Sequence, residues 1–252
     1  MANTNQYWDF KPEVFVSKDQ GQLELFVRGE GPPLILLHEL PGLADKTFEL
    51  GDYFVKAGFK VILPLLFGRA GDDNVWFGLA RVCIRQELRD LWLGKDTRIV
   101  HLIQELATRE SQAANNAGVG VVGMCLTGNM VLALLLNDHG TRSPIKAPVL
   151  AQPSSCYSAP ALAAAKKGDI GRPVMALRFE KDRICKRSSF NKLEQAFGPC
   201  PAANGQRLIV RELEGKGHST LTYQYDPGGV DARTKEEVDA RKEVVSFLKQ
   251  QI

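Results

Sequence analysis

One stretch of thirteen residues constrains the fold of this chain more than any other part of the sequence. Residues 119–131 read VGVVGMCLTGNMV, an apolar strand that passes through a tight turn into an apolar helix. The turn carries the pattern G-x-C-x-x-G, with Cys125 between Gly123 and Gly128. This is the thiol version of a nucleophile elbow, in which small neighbours permit a strained backbone and a helix N-terminus faces the reactive atom. The stretch therefore predicts an α/β protein with a reactive cysteine at a strand end.

The rest of the chain alternates short apolar runs with longer amphipathic ones, which is typical of β-α units and a mainly parallel sheet. Strands are predicted at Pro33–His38, Lys60–Pro64, Val119–Val122, Ala147–Gln152, Val174–Phe179 and Leu208–Leu213. Helices are predicted at Thr47–Ala57, Arg85–Arg109, Gly128–Asp138, Ser188–Phe197 and Thr234–Gln250. The N-terminal part differs, because Glu13–Ser17 and Leu23–Val27 flank a short polar turn and predict an antiparallel hairpin at the sheet edge.

We predict a single domain over residues 1–252, because no repeat, low-complexity tract or linker interrupts this pattern. Two segments are long, polar and rich in glycine, and each follows a predicted strand: residues 67–78 and 222–234. Ligands of α/β sheets bind beyond the carboxyl ends of the strands. Both segments are therefore candidate lids or pocket walls.

Charge and composition favour a small-molecule ligand. The net charge is +3, from 32 Lys and Arg against 29 Asp and Glu, and no block of five like charges occurs, so nucleic-acid and membrane-surface partners are not expected. The longest apolar run, Met130–Leu136, is far shorter than the roughly 20 residues that span a bilayer. With no secretory signal and five cysteines without C-x-x-C spacing, we expect a cytoplasmic monomer or homodimer with no metal or organic cofactor.

An acid and a histidine follow the cysteine in the chain order of a catalytic triad. Asp182 comes just after the strand at Val174–Phe179, and His218 comes after the strand at Leu208–Leu213. His218 would take and return the proton, and the acid would fix its tautomer and stabilise the imidazolium. Glu180 is the alternative acid.

With these residues in place, the whole chain resembles the dienelactone hydrolase family of α/β-hydrolases. The resemblance is carried by His38–Gly42, Pro64–Arg69, Gly123–Gly128, Asp182 and Gly217–Ser219. It implies the α/β-hydrolase fold, a mainly parallel central sheet with helices on both faces. It also implies that Cys125, Asp182 and His218 are catalytic, and that the backbone N–H groups of Leu40 and Leu126 form the oxyanion hole.

The resemblance also implies a role for Glu39. In this family the glutamate of the E-x-x-G motif contacts the resting cysteine and swings away when substrate binds. A carboxylate beside a thiol disfavours the thiolate, so the resting cysteine stays protonated and resists oxidation. Glu39 is thus expected to modulate the nucleophile.

Three departures from the family pattern concern the elbow and the substrate. Thr127 stands where the family has glycine, and Leu65 stands where it has an aspartate. The family arginine that follows the catalytic histidine and holds a substrate carboxylate is absent from Thr220–Tyr223. Arg69, Arg81 and Arg85 are alternative carboxylate-binding residues, because a guanidinium matches a carboxylate bidentately. Ser219 is a further candidate substrate-binding residue.

The expected function is hydrolysis of an ester or lactone through a Cys125 thioester. One alternative is a general carboxylesterase or thioesterase of the same fold. Another is a non-catalytic protein that binds a small ligand, and this alternative gains weight if the β-branched Thr127 distorts the elbow. Hydrolysis that depends on the Cys125 thiol would separate these possibilities.

Overall fold

A computed structural model describes residues 9–40, 42–71, 90, 97–136, 143–154, 157, 159–198, 205 and 207–252. The strands in these residues are β1 (Lys11–Val16), β2 (Gln22–Arg28), β3 (Pro33–Leu37), β4 (Lys60–Pro64), β5 (Val119–Met124), β6 (Ile145–Ala151), β7 (Pro173–Phe179) and β8 (Arg207–Leu213). Together they form one sheet, so all the predicted strands and the hairpin are present.

The sheet is mainly parallel, as predicted. Its spatial order is β1-β2-β4-β3-β5-β6-β7-β8. The six strands from β3 to β8 pair in parallel, whereas β1 and β2 form an antiparallel hairpin that joins the sheet through β4. The carboxyl ends of the parallel strands therefore meet at one edge, where the loops that carry the candidate catalytic residues begin.

Helices cover both faces of the sheet. In the described residues they are α1 (Asp45–Lys56), α2 (Arg98–Ala113), α3 (Leu126–Leu136), α4 (Ala159–Lys167), α5 (Arg187–Phe197) and α6 (Ala240–Gln251). Residues of α1 and α6 pack in one buried cluster, and residues of α2 to α5 pack in another. Neighbouring residues of β3 go to opposite clusters, because side chains alternate along a strand: Ile35 joins α2 and α3, and Leu36 joins α1.

One helix starts later than predicted, and one helix is additional to the predicted set. The helix predicted from Thr234 begins only at Ala240, because Lys235 has a φ of +62° and Asp239 caps the helix through the N–H groups of Arg241 and Lys242. Helix α4 was not predicted. It is nine residues long and rich in alanine, and only Ala161 and Ala165 are buried, so its amphipathic periodicity is weak.

Other boundaries lie partly outside the described residues. The helix predicted from Arg85 is described only from Arg98, where α2 starts with a Thr97 cap whose hydroxyl accepts from the N–H of Val100. No helix in the described part of the chain combines the length and apolar character needed to cross a membrane.

Candidate active site

Cys125 lies on a sharp turn between β5 and α3. Its φ is +56°, in the left-handed region that few residues with a Cβ adopt. Backbone hydrogen bonds hold this turn: Cys125 N–H donates to the Ala151 carbonyl at 3.0 Å, and its carbonyl accepts from Gly128 at 3.1 Å and Ser154 at 3.2 Å. The thiol is half-buried, with Sγ 3.8 Å from the Ser154 hydroxyl oxygen. The turn thus has the backbone geometry of a nucleophile elbow.

The local sequence explains why the elbow forms. A Cβ on Gly123 would lie 2.3 Å from the carbonyl oxygen of Thr127, so only glycine lets α3 approach the end of β5 this closely. Thr127 is accommodated rather than crowded. Its Oγ1 accepts from the N–H of Met124 at 2.8 Å and lies within donor distance of the carbonyls of Met124, at 2.9 Å, and Leu37, at 3.2 Å. Its hydroxyl therefore ties the elbow together and links it to β3.

The candidate acid lies on the loop after β7. Asp182 Oδ1 accepts from the backbone N–H groups of Ile184, at 2.7 Å, and Cys185, at 2.8 Å. Its Oδ2 lies 2.7 Å from Nδ1 of His218. The alternative acid, Glu180, instead forms a surface ion pair with Lys181 at 2.8 Å. The structure therefore joins Asp182, and not Glu180, to the histidine.

His218 is held in a position suited to a base. Burial lowers its pKa, but the hydrogen bond with Asp182 and the neighbouring Cys125 thiol outweigh burial and raise the pKa to about 10. Its Nε2 is buried and makes no hydrogen bond to any residue that the structure describes. Since Nδ1 is committed to Asp182, the unpaired Nε2 is the atom that can exchange a proton with the thiol.

Glu39 follows β3 and its side chain is only 3% exposed. Its Oε2 accepts from Ser219 Oγ at 2.9 Å and from Gln152 Nε2 at 3.3 Å, and its Oε1 accepts from the hydroxyl of Thr222. Burial raises the pKa of Glu39, and the hydrogen bonds from Thr222 and Ser219 oppose that rise. Within the described residues its hydrogen bonds do not reach Cys125, which differs from the contact that the family resemblance implies.

The two candidate oxyanion donors lie at the ends of the elements that carry Glu39 and Cys125. Leu40 follows β3 and Leu126 is the first residue of α3. The first N–H groups of a helix have no acceptor within the helix, so the Leu126 N–H is available to an anion. Both backbone positions are at the carboxyl edge of the sheet.

A wide pocket of about 790 Å³ lies beside the histidine. Its described lining includes Lys181, Asp182, Arg183, Lys216, His218 and Ser219. Three of these side chains are cationic, and they come from the loops that also carry the acid and the histidine. Lys181 is paired with Glu180, so Arg183 and Lys216 contribute most of the positive charge at the approach to His218.

Of the candidate substrate-binding residues, only Ser219 is found in the described pocket lining. Ser219 lines the pocket, but its hydroxyl donates to Glu39. Arg69 is exposed after β4 and is not among the described residues of the pocket lining. Arg81 and Arg85 lie outside the described residues, as does the part of the candidate lid from residue 72 to residue 78.

Sequence reasoning missed Gln152, which contacts both Glu39 and the loop after His218. No local motif marks it, since it is simply the residue after a buried strand.

His38 has a structural role rather than a place in the pocket. Its Nε2 accepts from the N–H of Leu66 at 3.1 Å, so its Nδ1 donates to the Glu39 carbonyl at 3.2 Å. Burial lowers the pKa of His38 to about 4, which keeps the ring neutral.

In the described part of the chain, no group of three or more His, Cys, Asp or Glu side chains could hold a metal ion. The arrangement at the carboxyl edge of the sheet instead combines a thiol on an elbow, a carboxylate-fixed imidazole and a helix N-terminus. These are the parts required for nucleophilic acyl transfer.

Comparisons with known proteins address the family and the fold of the chain. The sequence model of the dienelactone hydrolase family matches residues 26–252. No curated protein matches the chain.

Solved structures show the same fold at low sequence identity. A dienelactone hydrolase-like promiscuous phosphotriesterase from metagenomic libraries is 16% identical, with a TM-score of 0.63 over 95% of this chain and 94% of that one. A Pyrococcus furiosus esterase is 14% identical, with a TM-score of 0.63 over 97% and 93%. A candidate dienelactone hydrolase of Klebsiella pneumoniae is 18% identical, with a TM-score of 0.60 over 96% and 98%. The predicted α/β-hydrolase fold is thereby confirmed.

Proposed function

Because this chain belongs to the dienelactone hydrolase family of carboxylic ester hydrolases, we propose that it cleaves a small-molecule ester or lactone with Cys125 as the nucleophile. One observation carries the proposal: His218 is bound to Asp182 through Nδ1, at 2.7 Å, while its buried Nε2 has no hydrogen-bond partner in the described residues. An imidazole held in this way next to a thiol on an elbow is arranged to take the thiol proton.

The first half of the reaction would acylate the enzyme. Since a pKa of about 10 keeps His218 protonated at neutral pH, Cys125 would react as a thiolate paired with the His218 imidazolium, and it attacks the carbonyl carbon to give a tetrahedral oxyanion. The N–H groups of Leu40 and Leu126 would donate to that oxyanion, which is worth roughly 3–4 kcal/mol for each well-placed donor. The carbon–oxygen bond to the alcohol then breaks, and the His218 imidazolium returns its proton to the departing alkoxide. A Cys125 thioester remains.

The second half would release the acid. His218 removes a proton from water, the hydroxide attacks the thioester carbonyl, and the carbon–sulfur bond breaks. The sulfur of Cys125 leaves as a thiolate and His218 keeps the proton that it took from water, which restores the starting thiolate–imidazolium pair. With a lactone substrate, the alcohol and the acid are two ends of one product.

Asp182 would serve this cycle without transferring a proton. Its second oxygen is fixed by two backbone N–H groups, so the carboxylate cannot rotate away from His218. It therefore holds the imidazole in the tautomer with a proton on Nδ1 and stabilises the imidazolium when that forms.

Glu39 would modulate the nucleophile through the histidine loop. Its carboxylate contacts Ser219 and Thr222 in the arrangement described above, and it interacts electrostatically with His218. A negative charge at this position favours the imidazolium form of His218, the form that donates a proton to the leaving alkoxide.

The pocket suggests which esters fit. Arg183 and Lys216 line it beside His218, so a substrate that carries a carboxylate would be attracted to its entrance. Arg69 and Arg81 remain proposed partners for that carboxylate, with Ser219 as a neighbouring donor. The Thr127 hydrogen bonds remove the argument for a distorted elbow and hence for a non-catalytic ligand-binding protein. A cytoplasmic location and a monomeric or homodimeric state stay predictions.

The test is hydrolysis of three substrates by the wild type and by Cys125→Ala: a p-nitrophenyl ester, an enol-lactone with a carboxylate and an acyl thioester. We expect turnover of the ester or the lactone by the wild type, an acylated Cys125 in the mass spectrum, and no turnover by the variant. The melting temperature of the variant, expected to be unchanged, controls for folding. Near-normal rates in Cys125→Ala would refute the mechanism.

Thiol labelling provides an internal reference in the wild-type protein. Burial, together with the nearby charge of Asp182, raises the pKa of the Cys185 thiol to about 12, so it stays protonated and unreactive at neutral pH. Iodoacetamide near pH 7 should therefore modify Cys125 far faster than Cys185. Equal labelling of the two thiols would show that Cys125 is not activated.

A further inference from the structure

A short segment that begins with the last residue of β6, which we name the connector (Ala151–Ser154), contacts the elements that carry all three proposed catalytic residues. It binds the elbow at both ends: the Ala151 carbonyl accepts from Cys125 N–H at 3.0 Å, and Ser154 N–H donates to the Cys125 carbonyl at 3.2 Å. Between them, Gln152 N–H donates to the carbonyl of Leu177 in β7 at 2.7 Å. The connector thus binds directly to the elbow and to the strand that leads to Asp182.

The side chain of Gln152 reaches the third element, the loop after His218. Its Oε1 accepts from the N–H of Thr220 at 3.1 Å and from the Thr220 hydroxyl at 2.5 Å. Its Nε2 donates to Glu39 at 3.3 Å, and Glu39 in turn accepts from Ser219. Three partners therefore bind one buried amide, and they couple the connector to the two residues that follow His218.

The backbone of Gln152 is an independent sign of a constrained position. Its φ is +37°, in the left-handed region, and its side chain is fully buried. Glutamine rarely adopts this conformation, and such residues persist only where their surroundings over-determine them. They are concentrated at active sites and binding sites, so the outlier points to a functional constraint.

On these grounds we propose that Gln152 is a positioning residue, which sets the distance between the His218 imidazole and the Cys125 thiol by binding both Thr220 and Glu39. The inference rests on the proposed cysteine mechanism. It gives Glu39 a second role, as an acceptor that holds the histidine loop against the connector. Gln152 itself touches no reacting atom in this scheme.

The test uses three replacements that separate the side chain from the backbone. Gln152→Asn tolerates a positive φ but is one methylene too short to bind both partners, and Gln152→Gly relieves the backbone and removes the amide. Gln152→Glu keeps the length and an acceptor for Thr220, but it places a second carboxyl group against Glu39. Gln250→Asn makes the same shortening at an exposed position on α6 and serves as the matched control.

We expect kcat to fall in Gln152→Asn and Gln152→Gly by about 10²-fold, the loss that a displacement of about 1 Å causes at a reacting pair. KM should change little, because Gln152 is not placed in the pocket lining. The Gln250→Asn control should be unchanged in both.

Gln152→Glu should show a pH dependence that a purely structural role would not produce. At low pH one proton shared between the two carboxyl groups restores the bridge, so the ratio of variant to wild-type kcat should be highest there. The ratio should fall as pH rises and the shared proton is lost, because the two carboxylates then repel each other.

Wild-type kcat in both Gln152→Asn and Gln152→Gly would overturn the inference, and so would a ratio for Gln152→Glu that does not vary with pH. If those variants do not fold, Thr220→Val decides. It keeps the side-chain shape and removes one of the two hydrogen bonds that Thr220 donates to Gln152, so kcat should fall by a smaller factor, and an unchanged kcat would overturn the inference. Failure of the cysteine mechanism is a separate result, since Cys125→Ala would then remain active.

Discussion

The two halves of the proposed catalytic centre are built in different ways. On the elbow side, the turn at Cys125 is encoded by its neighbours, the small Gly123 and the Thr127 hydroxyl, and is held by backbone hydrogen bonds to Ala151 and Ser154. On the acid–histidine side, Asp182 and His218 are 36 residues apart and meet through their side chains, and the Gln152 side chain binds the loop after His218. The comparison teaches that the backbone places the nucleophile, whereas side-chain networks place the base.

Arg178 shows how the second kind of construction works. It is fully buried, and its guanidinium donates to the carbonyls of Glu180 and Cys185, which flank Asp182 on either side, at 3.1 Å each. It also pairs with Glu212 on the adjacent strand β8. The loop that presents the acid is therefore clamped by a charged side chain from β7.

The largest effect is expected from breaking the acid–histidine contact. Asp182→Asn should lower kcat by about 10⁴-fold, because an amide favours the wrong imidazole tautomer. The basic limb of the rate profile should also move to lower pH, since the Asp182 hydrogen bond helps raise the pKa of His218 to about 10. Steady-state kinetics from pH 5 to pH 10 would measure both changes.

Glu180→Gln makes the same chemical change two residues away, where the carboxylate is paired only at the surface, and serves as the control. It should retain wild-type kcat. An equal loss of kcat in Asp182→Asn and Glu180→Gln would contradict the assignment of Asp182 as the acid that orients His218.

The clamp on the acid loop should give the next largest effect. Arg178→Met removes the buried partner of Glu212 and should lower the free energy of unfolding by about 3–5 kcal/mol. Arg187→Met, which removes a half-exposed partner of the same Glu212, should cost less than about 1 kcal/mol. Urea unfolding curves compare the two variants, and similar losses would show that burial of Arg178 is unimportant.

On the elbow side, the sensitive contact is the Thr127 hydroxyl. Thr127→Val keeps the shape but leaves the Met124 N–H without this acceptor, which should cost about 1–3 kcal/mol of unfolding free energy. The pH dependence of the rate should stay as in the wild type, because the acid–histidine side is untouched. Thermal or urea unfolding measures the loss of unfolding free energy, and the dependence of kcat on pH tests whether the acid–histidine side is unchanged.

The matched control is Thr108→Val, at an exposed threonine whose hydroxyl donates to the Gln104 carbonyl within α2. We expect a change within about 0.5 kcal/mol there. If Thr127→Val were equally mild, the elbow would not depend on that hydroxyl.

The smallest expected effect is on stability as a function of pH. The folded-state pKa of His218 is raised above its unfolded value, so its contribution to stability is fully present below pH about 6.5 and is lost as pH rises towards 10. We expect an excess loss on the order of 1–2 kcal/mol between pH 6 and pH 9 in the wild type relative to His218→Gln. Parallel stability curves for the two proteins would contradict this assignment.

The same comparison explains what the sequence could predict. The elbow is encoded within Val119–Val131, so the strand, the turn, the helix and Cys125 could all be inferred from one stretch. The alternating apolar runs likewise predicted each parallel strand. Helix α4 is not predictable from the apolar pattern, because a short alanine-rich helix has little periodicity. The start of α6 depends on the Asp239 cap rather than on the apolar pattern.

The supporting side chains could not be predicted, because their partners are distant in sequence. Gln152 is 68 residues from Thr220 and 113 residues from Glu39, and no spacing rule connects them. Likewise, the family resemblance implies a contact between Glu39 and Cys125, whereas the structure bonds Glu39 to Ser219, Thr222 and Gln152. The bulk of Thr127 predicts crowding of the elbow, whereas in the structure its hydroxyl hydrogen-bonds Met124 and Leu37 and stabilises the elbow.

At Cys125 the requirement for a reactive sulfur conflicts with the requirement for stability, because the residue has a positive φ. A left-handed residue with a side chain costs about 1–3 kcal/mol, out of a total stability that is typically 5–15 kcal/mol. Glycine would remove that cost and with it the reactive sulfur, so an inactive chain can tolerate more heat than the active one. Stabilising changes are therefore expected elsewhere in the molecule, for example at the exposed Val14 and Val16 of the β1–β2 hairpin, which is far from the elbow in the strand order.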